Sequence, residues 1–191
     1  MKKLLTILCL VLLSVHSYSQ DVVTGPFLIR DGIYYHQDTN ELVTGIVEKF
    51  HENGQLKEKG IYVDGERDGL FEWFHENGQL KWRGNYKDGE QDGLREEFDE
   101  WGQLRFRGNY KDGKEEGLWE WFHENGQLEE RGNSIDGELE GLWESFDKEG
   151  NLTETENYKD GERDGLREWF DEDGNLTKTE TWKNGELIET D

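Results

Sequence analysis

Apolar and polar residues alternate along most of this chain in short runs. Gly69-Leu70-Phe71-Glu72-Trp73-Phe74 is one run, and Leu80-Lys81-Trp82-Arg83-Gly84-Asn85-Tyr86 is the next. A period of two predicts strands of roughly five to seven residues. Helices are disfavoured, because each interior glycine costs a helix about 1 kcal/mol. Between the runs stand Glu76-Asn77-Gly78 and Asp88-Gly89. Asn-Gly and Asp-Gly tolerate positive φ and are strong short-range hairpin signals.

The pattern recurs every 24 residues. Gly45, Gly69, Gly93, Gly117, Gly141 and Gly165 open six units, and Phe50, Phe74, Phe98, Phe122, Phe146 and Phe170 follow them at one spacing. The units run 45–68, 69–92, 93–116, 117–140, 141–164 and 165–188, after a lead-in at 20–44 and before a tail at 189–191. Tyr34-Tyr35-His36 and Leu42-Val43-Thr44-Gly45 look like a divergent half-unit. The expected fold is all-β: a single-layer antiparallel meander of tandem hairpins forming an elongated, curved sheet. Each unit advances it by roughly 10 Å. Such arrays are stable only as several stacked copies.

Two registers compete across the first turn. A three-residue loop ending in a left-handed glycine pairs Phe74 with Leu80 and sets Leu70, Phe74, Leu80 and Tyr86 on one face. It also sets Phe71 opposite Arg83, Trp119 opposite Arg131 and Trp73 opposite Lys81. A two-residue loop instead sets Glu72 opposite Arg83, Glu96 opposite Arg107 and Glu120 opposite Arg131. Burying a Leu or Phe is worth about 1.5–3 kcal/mol, against about 0–1 for a surface ion pair. The first register is therefore expected, although it places Glu120 opposite Glu130 and Glu144 opposite Glu154.

The stretch from Gly84 to Leu94, with its aromatic Tyr86 followed by two spaced glycines, resembles the MORN repeat. The fuller unit, with Phe74-His75-Glu76-Asn77-Gly78-Gln79-Leu80, resembles the MORN variant of YwqK-type proteins, a group of toxin–antitoxin system antitoxins. The resemblance covers 45–188. It implies an extended curved β-sheet, a role as scaffold or interaction surface, and no enzymatic residues.

Composition adds a compartment and excludes partners. Lys2-Lys3, the apolar run from Leu4 to Val15 and the small residues Ser17 and Ser19 read as a secretory signal peptide at 1–19, too short to span a membrane. Export departs from a cytoplasmic antitoxin role. Cys9, the one cysteine, lies in that run, so the mature chain forms no disulfide. Removing Lys2 and Lys3 leaves 20 basic against 45 acidic residues, a net charge of −25. That charge argues against nucleic acid and anionic membrane surfaces and suits a basic protein partner. Aromatics at 13% in fixed places oppose the disorder that such charge would otherwise signal.

Catalytic and metal chemistry find no support. His51, His75 and His123 share one place per unit, but equivalent atoms roughly 10 Å apart cannot share a metal bound at about 2 Å. A solvated site beside a turn is expected. Asp171-Glu172-Asp173-Gly174-Asn175 has its glycine too early for a calcium loop. Glu48, Glu72, Glu96, Glu120, Glu144 and Glu168 recur in every unit, whereas a catalytic pair is normally single. No enzyme, cofactor or metal is expected.

Specificity should lie where units differ. Two places per unit hold Val47/Lys49, Phe71/Trp73, Arg95/Glu97, Trp119/Trp121, Trp143/Ser145 and Arg167/Trp169. The candidate binding face is Phe71, Trp73, Arg83, Trp119, Trp121, Arg131, Trp143 and Trp169, rich in residue types that dominate binding hot spots. The same residues would serve as cross-strand cation–π pairs on a solvated face. Trp101 and Ser134 break the pattern, replacing Asn and Tyr. Three functions are open: an exported protein-interaction scaffold, a YwqK-like antitoxin or immunity protein, and a cell-surface carbohydrate binder.

Overall fold

A computed structural model describes residues 21–191. The signal-peptide reading of 1–19 lies outside them. The chain opens with β1 (Val22–Val23), β2 (Phe27–Arg30) and β3 (Ile33–His36). The repeats then supply β4 (Gly45–Phe50), β5 (Leu56–Val63), β6 (Glu66–Phe74), β7 (Leu80–Lys87), β8 (Glu90–Phe98), β9 (Leu104–Lys111) and β10 (Lys114–Phe122). They continue through β11 (Leu128–Ile135), β12 (Glu138–Phe146), β13 (Leu152–Lys159), β14 (Glu162–Phe170), β15 (Leu176–Lys183) and β16 (Glu186–Thr190). The described residues form no helix. Strands β4 to β16 pair in chain order as an antiparallel meander, and β1 adds a short parallel rung to β4, giving one open 14-stranded sheet. The all-β meander of 24-residue hairpins is the architecture the spacing predicts.

Both turn signals work, by different means. Asp64-Gly65, Asp88-Gly89 and Asp112-Gly113 each carry two consecutive positive-φ residues, the requirement of a type I′ hairpin. In Glu76-Asn77-Gly78 only the glycine is left-handed (φ 84°). Asn77 contributes its side chain instead, accepting from the Gln79 amide at 2.9 Å.

The register is a hybrid of the two alternatives. Phe74 does pair with Leu80, as the three-residue loop requires. A bulge then shifts the pairing by one, so that Trp73 faces Trp82, Glu72 faces Arg83 and Phe71 faces Gly84. The expected pairs Phe71–Arg83, Trp119–Arg131 and Trp73–Lys81 are not formed, and Trp119 faces Gly132. The bulge absorbs one residue of each second strand, a local device for re-aiming side chains. It removes the like-charge clash: Glu120 faces Arg131, and Glu144 faces Thr155.

The faces are assigned opposite to expectation as a result. Leu70 and Tyr86 lie on opposite sides. Leu70 and its equivalents Leu94, Leu118, Leu142 and Leu166 are exposed. On their side runs a ladder of charge, with Lys59–Glu48 at 3.0 Å, Arg83–Glu96 at 2.6 Å and Arg131–Glu144 at 2.6 Å. The core is the other, aromatic face. One cluster centres on Val43, Val47, Tyr62 and Phe71, and a second on Phe106, Trp119 and Trp143. The Tyr34 segment lies in the separate β2–β3 hairpin, with the Tyr34 ring 4.5 Å from that of Tyr62. It covers the first cluster.

Candidate functional site

Glycine makes the aromatic face possible. Gly60, Gly108 and Gly132 have ordinary φ, so no turn requires them. Each lies under a ring of the following unit: a Cβ on Gly60 would overlap Phe71, one on Gly132 would overlap Trp143, and one on Gly108 would come within 2.8 Å of Trp119. Large rings therefore lie flat across the neighbouring backbone, and the single layer buries them. Phe71 is 0%, Trp119 5% and Trp143 7% exposed. Ring contacts continue within a unit, with Trp73 stacked on Trp82 at 3.8 Å, and between units, with Trp121 5.8 Å from Trp143.

The eight residues expected to form one binding stripe divide accordingly. Phe71, Trp119 and Trp143 are core, with Trp73, Trp121 and Trp169 half-buried on the same face. Arg83 and Arg131 stand on the opposite face, pairing with Glu96 and Glu144 and lying over the rings of Phe98 and Phe146. The stripe mixed the two faces because the bulge was not foreseen.

The histidines are not solvated sites beside a turn. His51, His75 and His123 are half-buried, and their Nε2 atoms donate to the carbonyls of Phe74, Phe98 and Phe146 in the next unit, at 2.9, 3.0 and 2.8 Å. Asn53, Asn77 and Asn125 likewise donate to the next unit's turn carbonyls. These side chains staple unit to unit along one rim of the sheet.

Two features of the aromatic face were missed. Between the third and fourth units opens a cavity of about 460 Å³, lined by Arg95, Glu97, Arg105, Phe106, Trp119 and Trp121 among others. Arg95 and Glu97 stand at two places that each hold an aromatic ring in three of the six units, which the sequence does display. Arg105 is the extra residue of a bulge, since Glu97 faces Phe106 and Phe98 faces Leu104. Farther along, Glu130, Glu154 and Glu156 gather beside Trp143 and Ser145. Burial pushes the Glu130 carboxyl up from its ordinary value, helped by Glu129, Glu156 and Glu154. Burial, with Glu156 beside it, also raises Glu154. Glu156 itself is lowered: burial opposes this, but Tyr158, Glu154 and Arg163 hydrogen-bond its charged form. The Tyr158 hydroxyl is pushed up to about 12, by burial first and then by Glu156.

The MORN repeat variant model matches the chain six times, at 43–64, 67–88, 91–112, 115–136, 139–160 and 163–184. These matches cover most of the chain, which therefore belongs to the MORN repeat variant family. Repeats of this kind are commonly interaction repeats. No curated protein matches the chain.

Proposed function

We propose that this chain is an exported, non-enzymatic scaffold whose aromatic face holds a segment of a partner protein. The supporting observation is the half-buried ring surface of Trp73, Trp82, Trp121 and Trp169, interrupted by a cavity that the frame does not require. Rings with one side packed and one side open are the usual anchors of a protein interface. The net charge, −25 once Lys2 and Lys3 are removed with the leader, favours a basic partner by steering. Glu130, on the same face, has no ion-pair or hydrogen-bond partner among the described residues and adds a local reason. An antitoxin role is a special case in which the partner is a toxin. A carbohydrate role would use the same rings.

The test is capture from a native envelope extract by the mature chain and by Trp121→Ser. A protein retained by the first and lost by the second, at unchanged melting temperature, supports the reading. Equal retention by both overturns it. Binding on a glycan array with no protein captured would replace the partner by a sugar. For export, N-terminal sequencing of the envelope form should begin at Gln20 or Asp21. Intact Met1 on a cytoplasmic form would overturn that part.

A further inference from the structure

The joint between the third and fourth units differs from its neighbours on both the rim and the face. On the rim its staples are missing. Asp99 and Trp101 occupy the places of the stapling His and Asn. The Asp99 carboxylate accepts from the Trp101 and Gln103 amides of its own turn, and the Trp101 ring is 83% exposed. On the face, the 460 Å³ cavity opens at this joint.

Two donors among its lining residues lack an acceptor. The Arg105 Nη1 and Trp119 Nε1 atoms are buried and without a hydrogen-bond partner among the described residues. Buried donors are nearly always satisfied, and one left open persists at a cost until something supplies an acceptor. Arg95 and Glu97 are engaged with each other at 2.5 Å, and Arg95 lies 5.1 Å from the Trp82 ring centre. Glu129 stands 3.7 Å from His123 Nδ1, a charge pair only when that ring is protonated, and makes no ion pair with Arg105 among the described residues. Arg105 is the cation of this cavity that has no ion-pair partner among the described residues. A neutral sugar would satisfy hydrogen bonds but leave that charge, whereas a carboxylate satisfies both, since guanidinium–carboxylate pairs are among the strongest hydrogen-bonded contacts. The acidic character of the rest of the chain does not forbid this. Charges more than about 8 Å away are largely screened at physiological salt.

We propose that this joint is a carboxylate-binding subsite, which takes an Asp or Glu side chain of a partner polypeptide lying on the aromatic face. Arg105 and the Trp119 indole donate to the carboxylate, and Trp121 and Phe106 flank it. The proposal rests on the reading of the aromatic face as the binding surface. It also gives the otherwise basic partner one required acidic residue.

The experiment uses an array of random 12-residue peptides on the mature chain, followed by titration of the best binders. Peptides should be selected with one acidic residue in common, and changing it to Gln or Asn should weaken binding at least tenfold. Arg105→Gln should cause a similar loss at unchanged melting temperature, and the two changes together should cost no more than either alone. Arg83→Gln, on the opposite face, should leave binding unchanged. Peptides that lose affinity with Trp121→Ser but not with Arg105→Gln would overturn the carboxylate subsite and leave the aromatic-face reading standing. The absence of any peptide binder to the folded chain would overturn both. Glycan binding indifferent to Arg105→Gln would overturn the choice of ligand.

Discussion

The first four units and the last two fill one frame with opposite chemistry. In the first four, Lys59, Arg83, Arg107 and Arg131 stand on the ladder face, and Gly60, Gly84, Gly108 and Gly132 follow them on the aromatic face. In the last two, Thr155 and Thr179 take the ladder place, and Glu156 and Glu180 take the glycine's. The positive charge has left the ladder face: Arg163 and Arg167 pair with Glu156, and Arg167 also with Glu154, on the face shared with Trp143 and Trp169. What a place holds is thus decided by what the next strand lays over it. A ring needs bare backbone beneath it, whereas Arg167 has the Glu156 carboxylate there.

The sharpest way to break this comparison is to remove one ring from each region. Phe71→Ala should cost about 3–5 kcal/mol by urea denaturation, the usual range for a buried aromatic. Trp169→Ala should cost well under half of that, because the half-buried ring mainly supports Arg167 and Lys178, each 4.4 Å from its centre. Equal losses would mean that the two regions share one kind of core.

Filling the glycines comes next in size. Gly132→Ala should destabilise by about 1–3 kcal/mol, the usual cost of overpacking. Gly84→Ala, at the equivalent place, should be neutral or stabilising by up to about 1 kcal/mol, since alanine lowers the entropy of the unfolded chain. There Arg95 replaces the ring, and a Cβ would meet nothing nearer than Trp82 at 3.4 Å. A matching loss at Gly84 would show that the glycine serves the backbone and not the ring. Both are read from denaturation midpoints.

The rim offers a smaller effect. His75→Ala should cost about 0.5–1.5 kcal/mol, the net worth of a typical hydrogen bond. Introducing the missing staples with Asp99→His and Trp101→Asn should raise the melting temperature. If neither change moves it, the staples are incidental.

The smallest prediction concerns pH. The Glu130 carboxyl is raised in the folded chain, by burial and then by its acidic neighbours. The folded state therefore holds this proton more tightly than the unfolded state. Its contribution is fully present below the ordinary carboxylate value of 4.5 and is lost as pH rises through the raised one. Glu130→Gln should raise the melting temperature at pH 7, and the gain should vanish at pH 4. A gain independent of pH would exclude ionisation as its cause.

Much of this was legible in the residues, in proportion to how local the cause is. Gly45 and its five successors announce the period, and Asp88-Gly89 and Asn77-Gly78 announce the turns, because turn conformations are set by a few adjacent residues. The Phe74–Leu80 rung was legible for the same reason. The bulge was not, since an extra residue looks the same as any other in an alternating run. Every face assignment beyond it inverted. Leu70 and its equivalents misled because they are apolar yet half-open to solvent. One signal went unused: glycine precedes the rings of Phe71, Trp119 and Trp143 by one fixed spacing and is absent before Arg167. The cavity was half-visible in the charged Arg95 and Glu97. Arg105 joins it only through the bulge.

The ring and the glycine beneath it come from two successive units, so the piece that must be inherited together spans a boundary between copies. Excising 93–116 would bring Trp119 over Gly84, where glycine already waits. Inserting a second copy of 117–140 after Asp164 would press a tryptophan onto Glu156. Loss and duplication in such a gene are therefore open at some boundaries and closed at others. The lineage of the array is constrained by its seams more than by its segments.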